Sequence, residues 1–335
     1  MNFTDLWSRL FGQKQPHPLL APPINQSCNF PSTLQAERRN PLLNRPIVFD
    51  PALWQFIAHR AGEPHFDSDQ AAQKWHACRM SVLHHILDEI SRSKWSESLV
   101  LRGSVLMVAW LANQPRQPGD LDWVVTPESL KLQMEPSRKL VEGLISLLGG
   151  TTVSDHLLIP RNAFATEEIW MYEKAPGIRM IVPWQHQDSQ FDGTIQMDLV
   201  FGELMPSPPI NSTLRLGELP PLQLRTASPE QSLAWKLLWL ISDSYAMGKD
   251  LYDAVLLAEA FHVSTNTVLA TFQSSEQSMP WMLKEFNRQQ IIGLHIEWDD
   301  FLKEYPAVPG TVEEWKHRLA DALTPLFTDI ENQYA

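Results

Sequence analysis

The chain has 335 residues, 44% of them hydrophobic and 20% charged, with a formal net charge of −12. That length buries a sizeable core and has room for more than one domain. The acidic balance argues against duplex DNA binding driven by overall charge, and two cysteines, Cys28 and Cys78, exclude a disulfide framework or a Cys-rich zinc site and suit a reducing, cytoplasmic setting.

The N-terminus lacks a charged segment followed by an apolar one, so no secretory signal is expected. No apolar run approaches the length of a membrane span. Residues 1–50 read as a Pro-rich arm (Pro16, Pro18, Pro22, Pro23, Pro31) with a short helix around Asp5 to Phe11. The expected division is this arm, an α/β catalytic domain over 51–225, and a helical domain over 226–335.

Pro51 to Ala61 reads as a short helix. Asp67 or Ser68 caps a longer one running to about Ser93, with Trp75, Val82, Leu83, Ile86 and Ile90 on one face. Its His84-His85 pair does not read as a metal site, because adjacent helix positions point in different directions. Leu99-Val100-Leu101 has the look of a buried strand, and Gly103-Ser104 turns it into a helix over Val105 to Ala112. The free N–H groups at such a helix start suit a phosphate. After a loop rich in Pro and Gly, Asp120-Leu121-Asp122-Trp123-Val124-Val125 alternates as a strand does. Asp120 and Asp122 therefore share a face. Two carboxylates side by side repel each other unless a cation lies between them.

Pro127 to Leu148 reads as a helix with Leu130, Leu140, Leu144 and Leu147 inward, ended by Gly149-Gly150. Strands are expected at Thr151 to Ile159, Glu168 to Tyr172, Ile178 to Val182 and Thr194 to Phe201, with Ala175-Pro176-Gly177 as a turn. The last strand puts Gln196, Asp198 and Val200 on one face, bringing a third acidic residue to the sheet. Ser228-Pro229-Glu230-Gln231 then opens a helix to Ile241 that is apolar nearly all round. Lys236 is the one charge in its middle. Helices follow from about Lys249 to Phe261, Thr265 to Gln273, Pro280 to Asn287, Trp298 to Tyr305, and Val312 to Glu331, the last bent by Pro325. Strands interleaved with helices predict an α/β (α+β) fold with a mixed sheet, a helical C-terminal lobe and a cleft between them.

Gly103-Ser104, Asp120-x-Asp122 and a later strand Asp198 resemble the signature of the nucleotidyltransferase superfamily. With Arg116, Pro176-Gly177-Ile178-Arg179, Ala234-Trp235-Lys236-Leu237 and Lys249-Asp250-Leu251-Tyr252-Asp253 in that order, the stretch from Leu99 to Ala260 resembles the AbiEii/AbiGii toxin family, which has toxin relatives of the MenT type. Trp235 stands where the family pattern usually has Glu, and Lys249 where it usually has Arg. Lys keeps the charge but lacks the two-pronged fork of Arg.

Attack on an α-phosphate needs the charge of the triphosphate neutralised, and two metals commonly do this. Asp120 and Asp122 would bind Mg²⁺ jointly; Asp198 would ligate a second ion or accept the proton of the acceptor hydroxyl. The Gly103 and Ser104 backbone N–H groups, with the Ser104 hydroxyl, would hold the terminal phosphates. Lys236 would neutralise them, unless a structural carboxylate is its partner. Through the resemblance Asp250, Asp253 and Arg116 join the nucleotide-binding set, although Asp250 also reads as an N-cap and Arg116 as a loop clamp. The resemblance further implies an NTP substrate, an RNA acceptor such as a tRNA 3′ end, and an antitoxin protein as partner. Transfer to a protein side chain or small molecule is the alternative. A non-catalytic nucleotide-binding module would be expected to have lost one of the three carboxylates.

Overall fold

In a computed structural model, residues 44–50, 58–111, 116–171, 175–187, 192–274 and 286–334 are described here, and they belong to one unit, Pro31–Ala335. The expected helix in the N-terminal arm lies outside them. Strands β1 (Ile47–Asp50) and β2 (Ala58–Ala61) pair antiparallel. The end of the helix expected over Pro51 to Ala61 is thus a strand, because Ala58-His59-Arg60-Ala61 finds a ladder partner in Ile47-Val48-Phe49-Asp50, and pairing overrides local preference. The rest of that expected helix lies outside the described residues.

Helix α1 (Asp69–Arg92) is capped by the Ser68 hydroxyl, which accepts from the Ala71 N–H, and it buries Trp75, Val82, Leu83, Ile86 and Ile90 as its periodicity requires. Strand β3 (Leu99–Arg102), helix α2 (Ser104–Trp110) and strand β4 (Asp120–Val125) follow as expected. Helix α3 (Glu135–Leu148) begins eight residues later than expected. Pro136 accounts for this: its missing N–H costs nothing in a first turn and would break a helix interior. The strand expected over Thr151 to Ile159 is a small hairpin, β5 (Thr152–Ser154) and β6 (Leu157–Leu158), turning at Asp155-His156. Strands β7 (Ala165–Met171) and β8 (Ala175–His186) pair antiparallel, so Ala175-Pro176-Gly177 lies inside β8 rather than forming the turn. Pro176 is tolerated near the strand start, where a missing donor costs little. Strand β9 (Asp192–Val200) comes next. Two strands that were not expected, β10 (Ile210–Leu214) and β11 (Leu222–Thr226), pair with each other.

The main sheet runs β10-β11-β3-β4-β9-β8-β6-β5, with β7 also on β8. It is mixed: β4–β9 and β11–β3 are parallel, the rest antiparallel. One face of β3 and β4, carrying Leu99, Leu101, Leu121, Trp123 and Val125, packs on the hydrophobic core that holds the inward faces of α1 and α3. Val100 and Val124 point the other way into a second core built from the C-terminal helices. By strict alternation Asp120 and Asp122 lie on that second face with Val124.

The second core is organised by α4 (Pro229–Ser242), capped by Ser228 and buried at every position from Gln231 to Ser242. Against it pack α5 (Gly248–Ala260) and α6 (Thr265–Ser274). A short parallel pair of strands, β12 (Ala246–Met247) and β13 (Ile296–Glu297), flanks α5. The helix expected over Pro280 to Asn287 is displaced in its described part: Asn287 caps α7 (Arg288–Ile292) instead of ending a helix. Helix α8 (Trp298–Glu304) is as expected. The long final helix is two, α9 (Val312–Ala322) and α10 (Thr324–Tyr334), broken at Leu323 just before Pro325. The Thr311–Glu314 capping box opens α9. Among the described residues no helix is long and apolar enough to cross a membrane.

Candidate active site

The strand registers place charged residues in a row. Arg102 on β3 lies opposite Asp122 on β4, Asp122 opposite Asp198 on β9, and Asp198 opposite Arg179 on β8. Directly paired positions share a sheet face. Four neighbouring strands thus read cation, anion, anion, cation. Asp120 lies two residues before Asp122 on the same face.

Gly103 and Ser104 serve the carboxylates from behind. The Ser104 hydroxyl donates to Asp120 Oδ1 at 3.0 Å. Gly103 has φ +90°, and a Cβ there would come within 2.4 Å of Asp122 Oδ2. Only glycine permits both the turn and the close approach of Asp122. Neither residue lines the cleft.

The carboxylates differ in charge state. Burial, Asp120 and Asp198 together push the Asp122 carboxyl up to about 7, against the opposing pull of Arg102 and Lys249. Burial also acts to raise Asp120, but Lys249, Arg116 and the Ser104 hydrogen bond outweigh it and hold it well below the usual carboxylate range. Lys249 Nζ is 4.0 Å from Asp120 Oδ2. Asp198 is held by Arg179, Nε to Oδ1 at 3.0 Å and Nη2 to Oδ2 at 2.9 Å, and by Gln196 Nε2 to Oδ2 at 3.0 Å. Among the described residues no three His, Cys, Asp or Glu side chains gather into a metal cage. Asp120 and Asp122 lie side by side on β4, while both oxygens of Asp198 accept from the Arg179 guanidinium.

Lys236, Asp250, Asp253 and Arg116 form a buried network next to this face. Lys236 Nζ lies 2.6 Å from Asp250 Oδ1 and 3.1 Å from Asp253 Oδ2. Arg116 grips Asp253 with two bonds, at 3.2 and 3.1 Å. Burial alone would depress the Lys236 ammonium, but the two aspartates outweigh it and raise it above the usual lysine range. Arg116 lines the cleft; Lys236, Asp250 and Asp253 do not. The partner of Lys236 is thus a carboxylate pair, the structural alternative rather than the triphosphate. Asp250 is not a helix cap either: it lies within α5, in its first turn.

The cleft is lined by Asp120, Asp122, Asp198, Arg116, Arg179 and Lys249, together with Phe49, Arg60, Glu63, Trp75, Arg79 and Tyr245. Glu63 and Arg79 are paired, and Arg79 stacks 4.6 Å from the Trp75 ring. Arg60 ties the β1–β2 hairpin to Glu304 on α8 through two hydrogen bonds, at 2.9 and 3.2 Å. The sequence reading did not single out Arg179, Lys249, Glu63 or Arg79 as site residues. Arg179 and Lys249 stood within the stretches that carried the resemblance, and their register or position in the first helical turn was the available signal. Glu63 and Arg79 fall where no resemblance was found. Trp235 and Trp239 stack at 6.4 Å in the core, with the Arg102 guanidinium 5.0 and 5.1 Å from their rings. His84 and His85 turn apart, to the Pro220 carbonyl and the Thr151 hydroxyl respectively.

The family model described as "Nucleotidyl transferase AbiEii toxin, Type IV TA system" matches residues 85–324. The chain belongs to the AbiEii nucleotidyltransferase toxin family. Every element that carries the carboxylate row lies inside the matched span, and the β1–β2 hairpin lies outside it. The fold resembles that of MenT4, a nucleotidyltransferase toxin from Mycobacterium tuberculosis H37Rv, with TM-score 0.51 and 16% identity over 77% of this chain and 87% of that one. JHP933 from Helicobacter pylori aligns with TM-score 0.47 and 13% identity over 80% of this chain and 96% of that one. A putative nucleotidyltransferase from H. pylori gives 0.47 and 14% over 79% and 98%. No curated protein matches the sequence.

Proposed function

We propose that the cleft transfers a nucleotide from an NTP to an RNA acceptor, a tRNA 3′ end being the model, and that the chain is the toxin of a toxin–antitoxin pair in the cytoplasm. The observation that carries the reading is the Asp120–Asp122 pair on one strand face, with Asp122 pushed up to about 7 by burial and two neighbouring carboxylates. Such crowding is costly unless a cation relieves it. A divalent ion, Mg²⁺ in this reading, fits Asp120 and Asp122 and would supply charge neutralisation at the α-phosphate. Arg116 and Lys249 line the same cleft and would meet the remaining phosphate charge. Ser104 and Gly103 keep the two carboxylates in place. Asp253 and Lys236 hold Arg116 and the start of α5, so the helical core sets where these cations stand.

In-line displacement needs nucleophile and leaving group held in fixed positions. The sheet provides one rigid wall and the C-terminal helices the other. RNA as acceptor suits a cleft that Tyr245 lines, half-buried, among several arginines, since bases stack on aromatic side chains and on guanidinium planes. The test is incubation with Mg²⁺ and each α-labelled NTP in turn, once with total RNA and once with RNase-treated extract. Label in RNA supports the reading. Label only in protein or small molecules would favour the alternative acceptor.

A further inference from the structure

Asp198 is held differently from the other two carboxylates. It is 1% exposed, and each oxygen accepts a bond from the Arg179 fork, with Gln196 as a further donor. The ladder fixes the pair, because Arg179 and Asp198 are direct partners across β8 and β9. The cross-strand neighbour of Asp122, Arg102, donates to Glu203 Oε1 at 2.7 Å. Two parallel charge-assisted bonds make a strong and geometrically specific pair. A hard divalent cation seeks carboxylate oxygens without a competing cation. Lys249 stands 4.0 Å from Asp120, whereas both oxygens of Asp198 are taken at close range by one guanidinium, so Asp198 is the least open of the three to a metal ion.

We propose that this site takes a single divalent cation, on Asp120 and Asp122. Arg179 supplies the positive charge that a second ion would otherwise bring, and Asp198 is the positioning residue that aims it at the phosphates of the nucleotide. Arg179 lines the cleft beside Asp120 and Asp122. Its Nε and Nη2 edge is held by Asp198, so it meets the phosphates as a fixed positive charge rather than as a fork. The inference rests on the nucleotidyl-transfer reading above.

The test is Mn²⁺ titration followed by electron paramagnetic resonance, on the full chain with a non-hydrolysable NTP analogue. Wild type is expected to bind one Mn²⁺, and Asp122→Asn to lose it. Asp198→Asn should keep that ion with unchanged affinity but bind the analogue roughly tenfold or more weakly, through an Arg179 no longer held in place. Arg179→Lys in an otherwise wild-type chain should retain only part of the analogue affinity. Two bound Mn²⁺, one of them lost in Asp198→Asn, would overturn the proposal and leave nucleotidyl transfer standing. No Mn²⁺ and no analogue binding in wild type would reject both. If Asp198→Asn does not fold, the wild-type stoichiometry and the charge-neutral double variant Arg179→Gln, Asp198→Asn decide: the double variant should still bind one Mn²⁺.

Discussion

Asp122 sits among Asp120, Asp198, Arg102 and Lys249, and the carboxylates and burial prevail, raising it to about 7. In the unfolded chain an aspartate ionises near its ordinary value of about 4. A raised folded value means that the stability contributed by the protonated group is present at low pH and lost as pH climbs from about 4 through about 7. Metal-free wild type should therefore lose stability relative to Asp122→Asn across that window, read from urea midpoints between pH 4 and 8. A difference that does not change with pH would contradict the raised value. Lys236 gives the second residue-scale prediction. Its ammonium is 6% exposed and bonded to Asp250 and Asp253. Lys236→Met strands carboxylates in the core and should cost about 3–5 kcal/mol. Urea denaturation checks it; unchanged stability with lost NTP affinity would instead return Lys236 to the phosphates.

The strand–turn–helix–strand unit from β3 to β4 was legible in the sequence because its signals are local. Four buried residues run into a glycine that must turn, and Asp-x-Asp alternation sets the face. Gly103→Ala should destabilise by about 1–3 kcal/mol, from φ +90° and from the clash with Asp122, and should lower turnover as well. Gly217 has φ +60° with nothing within 4 Å, so Gly217→Ala should cost backbone strain alone and leave turnover unchanged. Equal activity in the two variants would show that Gly103 does not place Asp122. Less local features escaped the sequence reading. β2 depends on a partner strand, Ile47–Asp50, outside the local window, and so looked like a helix. β11 pairs with β10 along its length and reaches the main sheet by joining β3 at Thr226, more than a hundred residues from Leu101. The Arg179–Asp198 pair is a matter of cross-strand register, which spacing along one strand does not reveal. Asp120, Asp122 and Asp198 were legible as a set, while the guanidinium that separates the third from the other two was not.

At the scale of the molecule, a chain of net charge −12 lines its cleft with as many basic as acidic side chains. Overall charge therefore says little about the local field in a cleft. The cleft joins a sheet face to a helical core, and the family match covers both. The β1–β2 hairpin precedes the matched span, and it contributes Phe49 and Arg60 to the lining. The central claim is that Asp120 and Asp122 carry metal-dependent nucleotidyl transfer to RNA. The most direct measurement is covalent transfer of α-phosphate label from NTP into RNA with Mg²⁺, comparing wild type with Asp122→Asn at matched folded protein. The account predicts label in RNA with wild type and background with the variant, both lost in chelator. Transfer that persists undiminished in Asp122→Asn would contradict it.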